Sequence, residues 1–146
     1  MTAVFENYSV KRRLTCSREV VCAAASPTRS RGDIDTVIKC HCKKCRKSNG
    51  TAFGTNAPIK TSAFKLISGK DALGGFKSSD DLVRHFCRNC GSPIYSQRQS
   101  APELIRLRLG TLDTTISAKS AFHIYVGSKA EWDEICDGLP QHAERA

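Results

Sequence analysis

The clearest pattern along this chain is alternation. At 104–109, Ile105, Leu107 and Leu109 alternate with Arg106 and Arg108. That period predicts a strand with one buried and one polar face, the two arginines lying on a solvated side. Shorter apolar or β-branched runs at 36–39, 64–67, 82–86, 93–97 and 122–126 read as further strands. The run at 64–67 stops at Ser68-Gly69. The runs at 82–86 and 93–97 flank the turn Cys87-Arg88-Asn89-Cys90-Gly91. Helical periodicity is weak: one turn at 43–48 ended by Asn49-Gly50, and a further turn around 130–135. Residues 26–35 are polar and turn-rich and read as a loop. Trp132, Phe122 and Tyr125 read as core aromatics. With no internal repeat and no linker, the pattern predicts one mainly β domain over 1–146, built of short antiparallel strands.

Cysteine changes this picture. The chain of 146 residues carries eight cysteines. It shows neither an apolar run long enough to span a membrane nor an apolar segment after the charged start, so the expectation is a cytoplasmic, reducing setting. There disulfides are a poor explanation and metal binding a better one. Cys87-Arg88-Asn89-Cys90 has knuckle spacing, with Gly91 free to take positive φ behind the second thiolate. Cys40-His41-Cys42-Lys43-Lys44-Cys45 offers three thiolates. Strand alternation points Cys40 and Cys42 the same way and His41 the other, and a helical turn brings Cys45 back. Three ligands leave a fourth tetrahedral position open, as in catalytic zinc sites. Spacing alone leaves two partitions: one shared zinc, for instance on Cys42, Cys45, Cys87 and Cys90, or separate ions on the triplet and the knuckle. It favours the shared structural zinc. Cys22 and Cys136 stand alone and read as small packed hydrophobes.

The net charge of +9 admits nucleic acid or a small anionic substrate. Lys39, Lys43, Lys44, Arg46 and Lys47 gather around the triplet, where they balance a thiolate-bound metal or hold an anionic ligand. No recognition helix and no aromatic-interleaved basic strand supports nucleic acid, which is therefore the less favoured partner.

Four segments carry a family resemblance: CHCKKCRKSNGTAF at 40–53, FCRNCGSPIY at 86–95, IRLRLGTLD at 105–113 and HIYVGSKAEWDEICDGLPQ at 123–141. Together they resemble the glutathione-dependent formaldehyde-activating enzymes, a family that includes the centromere protein V type. The recognisable part spans about 16–141. The resemblance implies the Mss4-like, or β-tent, fold, with one or two Zn2+ ions. It implies a catalytic zinc on Cys40, Cys42 and Cys45, and a structural zinc joining an N-terminal cysteine pair to Cys87 and Cys90. Cys16 falls at the first position of that pair and Arg18 at the second, where a permanently protonated guanidinium cannot ligate metal.

The implied activity is that of a carbon–sulfur lyase of the S-(hydroxymethyl)glutathione synthase type. Such an enzyme binds a thiol such as glutathione and adds it to, or releases it from, a small aldehyde such as formaldehyde. In that scheme His123 is the candidate proton donor and His41 a weaker one, while Arg46, Arg106 and Arg108 are candidates for the substrate carboxylates, the latter two otherwise lying on the solvated strand face. Two alternatives remain: a non-catalytic zinc module that binds nucleic acid or protein, and a lyase acting on another thiol adduct.

Overall fold

The computed structural model describes residues 34–66, 69–112 and 116–146. Cys16, Arg18 and Cys22 lie outside them. Seven strands form one sheet: β1 Val37–Cys40, β2 Gly54–Lys60, β3 Leu73–Ser79, β4 Leu82–Cys87, β5 Pro93–Arg98, β6 Ala101–Arg108 and β7 Ser120–Ile124. The spatial order is β3-β4-β5-β6-β2-β1-β7. Every pairing is antiparallel except that of β1 with β7. One short helix, α1 Lys43–Asn49, connects β1 to β2. The mainly β, antiparallel-dominated fold expected from the alternation is therefore present.

The alternation in β6 sets the core. Ile105 and Leu107 pair across to Ile59 and Ala57 of β2. These four close one face, with Ile34, Phe64, Tyr95, Leu109 and Leu112 packed against them. Burying Ile105 and Leu107 contributes on the order of 1.5–3 kcal/mol each. Pro58 sits inside β2 without breaking a ladder, because β1 pairs β2 only from Gly54 to Asn56. Beyond that point one side of β2 is open, and a residue without an N–H is tolerated.

The opposite face corrects the expected solvated arginines. Arg108 lies opposite Asn56 on β2, and Arg106 opposite Ser96 on β5, itself opposite Arg84 on β4. Arg84 and Arg108 are buried and Arg106 is half-buried. This face is covered by α1 and the cysteine segment, so charge alternation did not mark solvent. The run at 64–67 is also corrected. Residues 64–66 form no strand, because Phe64 turns inward against the Tyr95 ring at 5.1 Å. Two further corrections concern side chains expected to be packed: Trp132 is 74% exposed and Cys136 is exposed.

His85 stacks on Tyr95 with ring centroids 4.3 Å apart. Burial pushes its pKa below the ordinary 6.5, opposed by a backbone hydrogen bond with Gly74. The unfolded chain then takes the proton first, so stability is highest above that ordinary value and falls as pH drops below it. His85 should contribute at most about 1.4 kcal/mol per pH unit to this acid sensitivity, less because the ring is only half-buried. His85→Phe is expected to shrink the loss of Tm between neutral and mildly acidic buffer. An unchanged loss in the variant would remove His85 as its source.

Candidate metal centre

The triplet is assembled by the end of one strand and the start of one helix. β1 terminates at Cys40, which pairs with Gly54 on β2 and Ile124 on β7. Cys42 is not in the strand. It is the N-cap of α1, extended at φ −60° and ψ 147°, and its sulfur accepts the Cys45 amide at 3.4 Å. Asn49 and Gly50 end the helix as expected, the Gly50 N–H donating to the Arg46 carbonyl. Gly54 makes room underneath: a β-carbon there would stand 2.9 Å from Asn49 Nδ2 and 3.4 Å from Cys45 Cβ. Asn49 Nδ2 in turn donates to the Cys45 carbonyl at 2.7 Å, fixing the turn that carries the third sulfur.

The Sγ atoms of Cys40, Cys42 and Cys45 all lie within 4.8 Å of one another. An ideal tetrahedron with ~2.3 Å zinc–sulfur bonds needs sulfurs about 3.8 Å apart, so the set fits a zinc ion with small adjustments. Cys40 and Cys45 are buried and Cys42 half-buried. Hydrogen bonds from Cys40 and Cys42 hold the Cys45 thiol well below the ordinary thiol range, with Arg108 and Arg84 adding to the effect and burial opposing it. The Cys40 thiol is pushed up, by its hydrogen bonds to Cys42 and Cys45 and by burial. Among the described residues Cys87 and Cys90 do not join this group, which counts against the shared ion that spacing alone favours.

The knuckle has its expected form. β4 ends at Cys87 and β5 begins at Pro93. The Gly91 N–H donates to the Cys87 carbonyl at 2.8 Å, the Cys87 N–H to the Ser92 carbonyl at 2.9 Å, and Gly91 takes φ +76°. The Cys90 sulfur donates to Ser92 Oγ at 3.2 Å.

A buried histidine pair joins β1 to β7, on the face of β1 opposite Cys40. His41 Nε2 lies 2.8 Å from His123 Nδ1, and His123 Nε2 lies 2.9 Å from Asp137 Oδ1. Lys39 donates to the other Asp137 oxygen at 2.5 Å. Those bonds, Lys39 first and His123 second, hold the Asp137 carboxyl down at about 2. An ionised Asp137 assigns the proton on His123 Nε2, which leaves Nδ1 to accept from His41 Nε2–H. His41 Nδ1 is then an acceptor without a partner, 4.0 Å from Asp133 Oδ2. Burial and the neighbouring His123 push the His41 pKa down, which keeps that ring neutral. Spacing gave no hint of this pair. It arises because the parallel ladder sets Lys39 beside His123 and Cys40 beside Ile124.

Two clefts open at the surface. One of about 360 Å³ is lined by His123, Lys39, Phe53, Asp133, Cys136 and Asp137 among others. The other, about 450 Å³, lies along α1 between Lys43, Arg46, Lys47 and the exposed Trp132. Arg46 Nε is buried with no hydrogen-bond partner, leaving one donor unused on the side of that cleft.

The sequence pattern of the glutathione-dependent formaldehyde-activating enzymes matches residues 15–128. The chain belongs to this family. Family membership places a formaldehyde-activating type of activity first among the candidates. A solved Rhodobacter sphaeroides protein is similar at 23% identity over 56% of this chain and 72% of that one, with a TM-score of 0.47. No helix of the described residues is long and apolar enough to cross a membrane.

Proposed function

We propose that the protein is a zinc-dependent enzyme of the carbon–sulfur lyase type that adds a thiol such as glutathione to a small aldehyde such as formaldehyde, and catalyses the reverse. The observation that carries this reading is the triplet itself: three sulfurs within 4.8 Å, enough to hold a metal and one short of a closed tetrahedron. Bound zinc would supply an open position at which a thiol, ordinarily near pKa 8.5, is presented as an anion.

The chain's own residues do the rest. In the addition the S–H bond breaks, a C–S bond forms, and the carbonyl π pair moves to oxygen, which takes a proton. Both ring nitrogens of His123 are engaged; its proposed part is to give the Nε2 proton to that oxygen, the thiol proton returning to the ring through water, while Asp137, held ionised, orients the imidazole. The Asp137 side chain is 36% exposed. Asp137 also fixes the His123 tautomer. Arg46, with Lys43 and Lys47 along the α1 cleft, suits the carboxylates of a peptide thiol. Cys87 and Cys90, with Cys16, suit a second, structural zinc. A cytoplasmic setting suits chemistry that needs its thiols reduced.

The test is exchange spectroscopy of carbon-13 formaldehyde with glutathione. Catalysis should raise the exchange rate in proportion to protein, and chelation should return it to background. A zinc-loaded protein that leaves the exchange at background would reject the enzyme reading in favour of a binding module.

A further inference from the structure

Arg84 and Arg108 are the two arginines buried among the described residues, and neither has a carboxylate partner there within 4.0 Å. Arg84 donates to Ser78 Oγ and Ser48 Oγ, each at 3.2 Å. Its Nη1 and Nη2 stand 4.0 and 3.9 Å from Cys45 Sγ. Arg108 donates from Nη2 to Ser96 Oγ at 3.3 Å, and its Nη1 is buried without a partner. A buried cation satisfied only by hydroxyls is costly unless an anion lies near. Both arginines come from the sheet face beneath the cysteines, and the group that faces them is Cys45 Sγ, which would be a thiolate on a bound metal.

Hydroxyl partners and one thiolate leave more positive charge here than the cysteines need. Three thiolates on a divalent ion carry a net charge of about −1, and a fourth brings it to about −2. Lys43, Lys44 and Lys47 are exposed on α1, where water and salt screen them. Arg84 and Arg108 are buried, so their charges are screened much less.

We propose that Arg84 and Arg108 are positioning residues that stabilise a second anion beside Cys45, so that the cysteine centre takes an anionic thiol in preference to a neutral ligand. The inference rests on the thiol-binding reading and adds the residues that would make it selective. It concerns the sulfur of the substrate, not its carboxylates, which separates it from the role of Arg46.

The experiment uses the full chain loaded with cadmium and follows sulfur-to-metal charge-transfer absorption. Two thiols are titrated: glutathione, and 2-mercaptoethanol, which has no carboxylate. In the unaltered protein the band is expected to grow with both. In Arg108→Gln and, separately, Arg84→Gln, the band before thiol addition should persist, showing an intact three-sulfur centre. Half-saturation by either thiol should then need about tenfold more ligand. Arg108→Lys, which keeps the charge and loses the fork, should fall between. Unchanged half-saturation in both glutamine variants overturns the proposal. So does weakening for glutathione alone, which would reassign the arginines to a carboxylate. Loss of the thiol-free band overturns it too, by making them supports of the metal ligands themselves. If the unaltered protein responds to neither thiol, the proposed function itself falls.

Discussion

Cys45→Ala is expected to release one zinc per chain and to reduce thiol–aldehyde exchange by more than about a hundredfold. Cys45 is buried, its backbone is tied to Asn49, and its amide caps against Cys42. Removing its sulfur leaves Cys40 and Cys42 as a pair, too few donors to hold zinc at neutral pH. Two guanidiniums would then face an empty buried space, so a loss of folding stability should accompany the loss of metal. Elemental analysis and a thermal melt with and without chelator would measure both. Zinc content equal to that of the unaltered protein would remove Cys45 from the centre.

His123→Asn should lower kcat by roughly a hundredfold to ten-thousandfold, the range of a lost proton-transfer group. Zinc content and half-saturation by thiol should stay within about twofold, because His123 lies outside the three-sulfur cluster. Asparagine keeps a polar atom towards His41, whereas His123→Ala would leave the buried His41 Nε2 without a partner, at about 1–3 kcal/mol. A kcat that survives His123→Asn while the melting temperature drops would make the residue structural. Asp137→Asn offers a companion measurement. If the carboxylate orients His123, that change should weaken kcat and leave the metal in place.

The reasons why some of this was legible in the sequence, and some was not, are physical. The triplet and the knuckle are local: their ligands are set by turns of a few residues, and turn chemistry such as Asn49-Gly50 and Gly91 is written in the sequence. Core alternation in β6 was legible because Ile105 and Leu107 are strong signals on one face. β2 was missed because its alternation is carried by small Ala57 and a proline, and β3 because Gly74-Gly75 weakens its β signal. Phe64 misled in the opposite direction, since an aromatic plug in a loop has the same composition as a strand. Arg108 misled because one strand cannot reveal that a cysteine-bearing segment covers its second face. The histidine pair was out of reach, since His41 and His123 are 82 positions apart and meet only through a parallel ladder.

That ladder has a consequence for how the protein is made. The three sulfurs of the triplet fall within six consecutive residues, so a growing chain can present all of them to a metal ion soon after β1 emerges from the ribosome. His123 reaches its place only when β7 is synthesised and aligned beside β1, and the tail after it must follow. The Pro140 carbonyl accepts the His123 N–H at 2.8 Å, and the His123 carbonyl accepts the His142 N–H at 3.0 Å. A chain stalled or cleaved before residue 140 would keep its full set of thiolates yet lack the segment that clasps His123. If the proposed function holds, such a fragment would sequester zinc without turning over substrate, so metal content alone would be a poor assay of intact protein.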